Sequence, residues 1–441
     1  MRGGACTGRR GTIMNRLSLG LAVAAASLAS VVSPGTAVAA VSEADFARLQ
    51  AQMAGLMARV AALEEENAEL RENTANAVSE IRLTREQVAA VPLRAAPTGA
   101  EDTLQFSGDF RYRYEEIDIG QRVVRTRHRV RARAGFVAQL PQDVQVGLKV
   151  AAGNDSPVSG NATLGGGGQS KDLYLDQAWA TWRPFTGAYA TVGKMKNPMY
   201  RPEGSGLLWD SDYTPEGIAL GWANDAVFVN AVAHALDSDS VRANSAFYYG
   251  VQSGFTLALG DTLGLTAGGG YIDMPVKGKN TYYGSSDVFF GNSFSCDSIL
   301  LTFCTYDNNY EELELFATLD IDGLGMPAAV YGHYAQNLDA DDEDTAWSAG
   351  ARLGKASAAG SWQVAYEFAS IEADSLLALL SDSNIGGGGT DVRGHKLGAV
   401  FAVDKQWHVG LTLFIDNETL SSRFDDPIDY DRVIFDTSFK Y

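Results

Sequence analysis

The stretch RTRHRVRAR, residues 125–133, places an arginine at every second position. Side chains two residues apart share one face of a β-strand, whereas the same spacing on an α-helix spreads them around the axis. The spacing therefore predicts a strand that carries all five arginines on one face: Arg125, Arg127, Arg129, Arg131 and Arg133. Because like charges on neighbouring positions of a sheet repel, this face needs water or opposing acids.

The same alternation runs through the chain from about residue 103. In QFSGDFRYRYE, residues 105–115, aromatic side chains occupy one face, and Arg111 and Arg113 occupy the other. About sixteen segments with this pattern follow one another, each roughly ten residues long. That length suits a tilted strand that crosses a membrane with one apolar and one polar face.

The connections between these segments alternate in length. Short ones such as LPQD and LGDT alternate with long ones at 153–172, 197–215, 274–309 and 371–392. Short turns at one rim and long loops at the other are typical of outer-membrane barrels. A soluble β-sandwich or propeller does not account for this alternation. We therefore predict an all-β fold, a transmembrane antiparallel β-barrel of about 16 strands over residues 103–441.

The first 40 residues have the pattern of a secretory signal peptide. Four arginines precede the apolar run 17–32, and small residues follow it. Met1 and Met14 both stay open as the start. No later segment reaches the roughly 18 consecutive apolar residues of a transmembrane helix. The formal net charge of −19 argues against a nucleic-acid partner.

Residues 42–90 follow an apolar heptad pattern that predicts a coiled coil. An Ala/Pro linker at 91–102 separates this segment from the barrel. We expect self-association into a homotrimer, with contact to the cell wall as a further role and a monomeric amphipathic helix as the alternative. The predicted seam residues are Leu49, Leu56, Val60, Leu63, Asn67 and Leu70.

Cysteine and histidine usage points away from metal and cofactor chemistry. Removal of the signal peptide leaves Cys296 and Cys304, eight positions apart, and export to an oxidising compartment predicts a disulfide between them. None of the five histidines lies in a recognisable nucleophile or metal motif. We therefore expect no enzyme activity, no metal and no cofactor.

Several stretches together resemble the bacterial "putative porin" family (Porin_5). They are FSGDFRYRYE, RTRHRVRARAGF, LDQAWATW, GKMKNPMY with LLWDSDYTPEGIAL, and SDSNIGGGGTDVRGHKLGAVF. The resemblance implies a general or weakly selective pore for small hydrophilic solutes and ions in the outer membrane of a Gram-negative bacterium. The coiled coil would then lie in the periplasm, and the acidic loops would meet membrane lipid and lipopolysaccharide.

In such a barrel the arginines must point into the lumen, since an arginine facing lipid at mid-membrane costs about 2–4 kcal/mol. We expect acids of the 197–215 connection and its end to face them across a constriction, namely Glu203, Asp210, Asp212 and Glu216. Lys194 and Lys196 would add positive charge at its base. The alternative is that all of these are merely solvated lumen residues. SDSNIGGGGTD, residues 381–391, is interpreted as a mobile surface loop, with a Ca²⁺ site as the alternative.

Other functions stay open beside the general pore. A substrate-specific channel for a sugar, phosphate or organic anion requires side chains that converge on one solute. An outer-membrane adhesin or enzyme is a weaker alternative, because one chain supplies enough strands to close a barrel and shows no catalytic motif.

Overall fold

The computed structural model of the protein describes residues 104–120, 122–240, 243–297, 303–419 and 427–441, and the helical residues Ala54, Met57 and Arg59. The predicted signal peptide, the linker, nearly all of the 42–90 segment and its six seam residues lie outside the described residues. The chain separates into two units, Met1–Ala95 and Ala96–Tyr441. Among the described residues, no helix combines the length and the apolar character that a membrane crossing requires.

The second unit is built of strands. The strands of its first half are β1 (Leu104–Ile119), β2 (Arg125–Leu140), β3 (Val144–Ala152), β4 (Ala162–Thr163), β5 (Leu173–Trp182), β6 (Ala188–Lys194), β7 (Glu216–Ala223), β8 (Val227–Asp237), β9 (Ala246–Ala258) and β10 (Leu263–Met274). Those of its second half are β11 (Phe294–Cys296), β12 (Cys304–Tyr306), β13 (Tyr310–Ile321), β14 (Ala328–Asn337), β15 (Thr345–Gly354), β16 (Trp362–Ile371), β17 (Val392–Ala402), β18 (Trp407–Thr419) and β19 (Ile428–Lys440).

Sixteen of these strands form a closed antiparallel barrel. Each pairs with the next along the chain, and β1 also pairs with β19, which closes the ring. The two-residue strand β4 joins the sheet beside β2, and β11 and β12 form a separate hairpin. The predicted fold class and the count of about sixteen strands are confirmed.

The connections follow the predicted alternation. Those at the rim that holds the end of β19 are three to seven residues long. Four long connections leave the other rim, and we name them loop A (153–172), loop B (195–215), loop C (275–309) and loop D (372–391).

The period of two sorts side chains between the two faces of the wall. In β13, Leu313 and Leu315 are exposed on the outside, while Glu312, Glu314 and Phe316 are buried on the inside. Exposed apolar side chains recur on the outer face of nearly every strand. This outer band is the surface that a lipid bilayer would cover.

The inside of the barrel is not uniformly wet, contrary to the sequence-based expectation of a charged interior. Loops B, C and D fold inward and pack apolar side chains against the inner wall, which forms a dry cluster that we call the luminal core. Its largest fully buried members include Trp209, Tyr248, Phe289, Leu377 and Leu380. The reason lies in loop D, where LLALL at 376–380 supplies apolar side chains that burial stabilises.

Loop D is also held by polar contacts from other elements. The backbone N–H of Leu377 donates to Glu312 of β13 at 3.0 Å. Asn292 of loop C donates to the Leu376 carbonyl at 2.9 Å, and the Asp210 N–H of loop B donates to the Leu380 carbonyl at 2.8 Å. These bonds satisfy loop backbone groups that would otherwise be buried without partners.

The interpretation of residues 381–391 as a surface loop is therefore wrong. Ser381, Ile385 and Thr390 are buried inside the barrel. Gly386–Gly389 all have positive φ, and a Cβ at Gly389 would collide with the Phe290 carbonyl oxygen. Only glycine allows the backbone to turn and approach its neighbours this closely.

Loop C carries the cysteines predicted to pair. Cys296 ends β11 and Cys304 begins β12, and a disulfide joins them with the two Cα atoms 4.0 Å apart. The Cys304 side chain is buried at the luminal core. The disulfide therefore ties the hairpin that lies over part of this core.

Candidate functional site

The arginine spacing that opened the sequence analysis becomes one side of the lumen. We call the inner face of β1, β2 and β19 the arginine wall. In register, Asp109 of β1 faces Arg133 of β2, and Glu115 faces Arg127. Between these end pairs, Arg111 faces Arg131, and Arg113 faces Arg129. Arg127 and Arg133 thus face acids, and Arg125 at one end of the ladder faces Ile117. The two positions between set arginine against arginine, which is unfavourable without further partners.

Asp109 and Glu115 each bind more than one arginine. Asp109 contacts Arg133 at 2.7 Å and Arg131 at 3.0 Å. Glu115 is completely buried and contacts Arg127 at 2.6 Å, Arg129 at 3.5 Å and Arg432 of β19. Each acid therefore offsets the repulsion along the ladder, because an ionised carboxylate accepts several charge-assisted hydrogen bonds.

The middle of the ladder takes further partners from outside β1 and β2. Arg113 forms an ion pair with Asp436 of β19 at 2.7 Å. Arg131 forms one with Asp212 of loop B at 2.8 Å. Arg111 donates to the Asn161 side chain of loop A at 2.7 Å. Two inward-folded loops and the closing strand thus meet at the point where the like charges face each other.

Loop A reaches this position because β3 is short. β3 pairs with β2 only from Ala132 to Leu140, and β4 takes the free stretch beside Arg129 and Val130. This pairing places Asn161 against the wall, where its carbonyl accepts from Arg129 at 3.1 Å. The Gly160 N–H also donates to Asp212 at 3.2 Å, which links loops A and B.

Of the four acids predicted to face the arginines, only Asp212 does so. Glu203 instead pairs with Arg352 of β15, because the turn of loop B that carries it packs on that part of the wall. Glu216 begins β7, is largely exposed, and pairs with the neighbouring Lys194 at 2.8 Å. The predicted facing of Glu203, Asp210 and Glu216 toward the ladder is corrected accordingly.

Asp210 turns away from the ladder toward loop D. Its carboxylate accepts the backbone N–H of Ser383 at 3.1 Å and that of Asp212 at 2.7 Å. Burial, together with the nearby negative charge of Asp382, raises the pKa of Asp210 to about 7. Burial alone would also raise the pKa of Asp212, but Arg131 and Arg111 hold it below its usual value. Two acids of one loop therefore differ in their tendency to ionise.

The two predicted lysines lie apart from the ladder. Lys194 ends β6, and Lys196 is exposed in loop B, where it lines a cavity with Arg183 and Arg201. Among the described residues, neither lysine forms an ion pair with an acid of the arginine wall.

The charge of the arginine wall does not balance. Its eight arginines are Arg111, Arg113, Arg125, Arg127, Arg129, Arg131, Arg133 and Arg432. The carboxylates in ion pairs with them are Asp109, Glu115, Asp212 and Asp436. Eight positive charges against four negative ones leave an excess of four among the described residues.

A cavity of about 530 Å³ opens along this wall, and we call it the basic cavity. Seven arginines line it: Arg111, Arg113, Arg122, Arg125, Arg127, Arg129 and Arg432. Loops A, B and D line it as well, through Asn161, Asp212 and the glycines 386–388. The remaining space of the lumen on this side is thus polar and mainly basic.

Sequence reasoning missed several of these residues. Asp109 and Glu115 share the period-two face of Arg111 and Arg113, so the same alternation could have identified them. Arg432 and Asp436 alternate likewise with the outward aromatic residues of the last strand. Asn161 carries no such signal, because its position depends on β4 pairing with β2.

The described part of the chain contains no group of three or more His, Cys, Asp or Glu side chains that could hold a metal ion. Two buried histidines, on β14 and β8, contact side chains of adjacent strands. His333 contacts Glu314 at 2.8 Å, and His234 contacts Tyr248 at 2.8 Å.

Comparison with solved structures supports the fold. The chain is similar to a high-pH structure of Pseudomonas putida OprB, with a TM-score of 0.52 and 11% identity over 77% of this chain and 95% of that one. It is also similar to Salmonella typhi OmpF in complex with daunomycin, with a TM-score of 0.47 and 12% identity over 77% of this chain and 97% of that one. For Vibrio cholerae OmpT lacking loop L8, the TM-score is 0.45 and the identity 15%, over 77% of this chain and 99% of that one. No curated protein sequence matches the chain.

The family comparison is more specific than the structural one. A family model described as "Putative porin" matches residues 121–316 and 308–440, which together span most of the chain and nearly the whole barrel. The resemblance inferred from the sequence motifs is thereby confirmed. The family and the fold together support an outer-membrane porin channel rather than an enzyme. The chain belongs to the "putative porin" family.

Proposed function

We propose that the protein is a passive channel for small hydrophilic solutes and ions, with anion preference set at the arginine wall. One observation supports this most directly, namely that among the described residues the eight arginines of the wall exceed by four the carboxylates that pair with it. Fixed charge that lines a narrow aqueous passage raises the local concentration of ions of opposite sign.

The luminal core limits the space through which solutes would pass. Loops B, C and D occupy part of the interior with packed apolar side chains, so solutes would pass beside the charged residues. Asp212 and Asn161 reach the wall from loops B and A and would narrow the passage there. The acidic connections at the rim, such as DADDEDT at 339–345, would oppose this preference at the mouth.

Ion preference is tested by the reversal potential of the purified protein in planar bilayers under a KCl gradient. We expect chloride to be preferred over potassium, and the double variant Arg111→Ala/Arg125→Ala to reduce that preference. Neither arginine has a carboxylate partner among the described residues, so these changes leave no buried acid unpaired. Arg183→Ala is the control, because it removes an arginine that lines a different cavity. A potassium preference in the unaltered protein would refute the proposal.

A substrate-specific channel is the second candidate, and the inward-folded loops favour it because they restrict the open space. Swelling of liposomes that contain the protein separates the two, with neutral sugars and organic acids of graded size. A general channel gives rates that fall smoothly with solute size. A specific channel gives one chemical class whose rate lies well above that trend.

We further propose that residues 42–90 join three chains through the heptad seam and lie in the periplasm, within reach of the cell wall. The sustained apolar repeat supports this. Chemical cross-linking of the intact protein should yield trimers, and a chain that lacks residues 42–90 should yield fewer. Equal trimer yields from both chains would assign trimer formation to the barrel.

A further inference from the structure

We propose that the basic cavity is a binding site for a small solute that carries at least two negative charges, on carboxylate or phosphate groups. This inference rests on the proposed channel function and assigns a solute class to it. The site would retain such a solute on its passage, and monovalent anions would pass with weaker interaction.

The charge of the cavity sets the valence of the solute. Seven arginines line it, and four carboxylates either line it or pair with those arginines: Asp210, Asp212, Glu115 and Asp436. Among the described residues, seven positive charges against four negative ones leave an excess of three even when Asp210 is ionised. One monovalent anion offsets only part of this excess, whereas a dianion or trianion offsets most or all of it.

Several lining guanidinium groups have donors to spare. Arg122 and Arg125 are exposed to the cavity and have no carboxylate partner among the described residues. Within the described part of the chain, Arg111 binds only the Asn161 amide through its side chain, and its Nε is buried without an acceptor. The Nε of Arg129, whose side chain is 9% exposed, also has no acceptor. Each guanidinium carries five donors in a planar fork that matches the oxygens of carboxylate and phosphate groups.

The other side of the cavity suits the neutral part of such a solute. Loop D contributes the backbone of Gly386–Gly388 with the polar side chains of Ser383 and Asn384, and loop A contributes Ser159. Because glycine has no side chain, a bound solute can approach this backbone closely. The anionic groups would therefore point to the arginine wall, and hydroxyl or other polar groups would point to loop D.

The volume sets an upper bound on size. About 530 Å³ falls within the range of pockets that hold small molecules. A compact di- or tricarboxylate or a phosphate ester fits this space, whereas a polymer would have to thread through it. The proposed solute is therefore a single small anion of the size of a metabolite.

The test is interruption of the chloride current by added anions in planar bilayers at constant ionic strength. The probes are citrate and succinate for multivalent carboxylates, inorganic phosphate for the phosphate class, acetate for monovalent carboxylates and glucose as the neutral solute. We expect citrate, and succinate or phosphate, to interrupt the current at concentrations at least about tenfold below acetate, as expected for additional charge-assisted hydrogen bonds. Interruption by phosphate without succinate would assign the phosphate class, and the reverse would assign carboxylates.

The variant Arg122→Ala/Arg125→Ala should raise the citrate concentration needed for half-maximal interruption by at least about tenfold. Arg183→Ala removes an arginine from another cavity and should leave that concentration unchanged. The apparent size of each folded barrel in unheated detergent gels verifies that both variants fold. Isothermal titration of citrate into the detergent-solubilised protein provides a second measurement that does not depend on conduction.

Two failures can be told apart. Chloride preference with equal interruption by citrate and acetate would overturn the binding site and leave the channel proposal intact. A protein that folds but conducts no ions in bilayers would overturn the channel proposal, and the binding site with it.

Discussion

The arginine wall and most of the luminal core occupy different parts of the same inner surface, with Ile434 of β19 joining the core beside the wall. The wall lies on β1, β2 and β19, and around the ring β10 is as far from β1 as a strand can be. On this side, inward residues such as Tyr248 of β9 and Ile272 of β10 pack against loops and are fully buried. The wall keeps its charged groups beside open space, while the core excludes water and fixes the loops.

In this closed barrel, one part of the inner face stabilises the fold, and another part would interact with passing solutes. The sheet closes through its own hydrogen bonds, so the inner face is free to hold either a dry core or a charged surface. Loop B connects the two, because Trp209 lies in the core and Asp212, three residues later, binds Arg131. The core thus positions the acid that sits at the middle of the ladder.

The largest effect should come from the wall. Glu115→Gln removes the negative charge that Arg127, Arg129 and Arg432 share, and it leaves these arginines without that carboxylate. Loss of one partner of a buried ionic network costs about 3–5 kcal/mol. We expect a clear drop in the thermal unfolding midpoint of the detergent-solubilised barrel, followed by circular dichroism.

Glu203→Gln is the matched control for this comparison, because it removes a Glu–Arg pair whose side chains are 18% and 17% exposed. Such a pair is expected to contribute about 1 kcal/mol or less. Equal midpoints for the two variants would mean that the shared carboxylate is not important to the wall.

The second effect should come from the core. Leu377→Ala removes a side chain that is only 1% exposed, and such losses cost about 2–5 kcal/mol. Because loop D is held by this packing, we expect the loop to loosen and the single-channel conductance to rise. Leu338→Ala, at a leucine that is 53% exposed, should leave conductance unchanged. An unchanged conductance in both variants would show that loop D does not limit the passage.

The smallest effect should be the pH dependence of the contact between loops B and D. The pKa of Asp210 is raised to about 7, above the ordinary value of 3.8, so the packed state binds the proton more tightly. The contact therefore weakens as the pH rises from about 4 to 7, by at most about 1.4 kcal/mol per pH unit, and changes little above 7. Asp382, Asp212 and Arg201 also face this site.

Open-channel current noise checks this prediction. We expect more noise at pH 8 than at pH 5, and Asp210→Asn should remove the difference. Asp341→Asn, at an exposed acid of a different connection, should retain it. A pH dependence that survives in Asp210→Asn would assign the titration to another group.

Part of the site could be predicted from the sequence. Features that depend on local geometry were predictable, and features that depend on contacts between distant strands were not. The inward direction of Arg111 and of the β2 arginines follows from a local period of two and from the cost of arginine in lipid. The partner of each arginine could not be predicted, since it depends on strand register and ring closure. Arg432 reaches Glu115 only because the last strand pairs with the first.

The sequence by itself determined the strand pattern, the alternation of short and long connections, and which face of each strand is polar, because these depend on local backbone geometry and the period of side chains. Only the tertiary structure decided that loop D lies inside the barrel and that Asp212, rather than Asp210, binds the ladder. Those outcomes arise from contacts between segments far apart in the chain, whose packing no local pattern encodes.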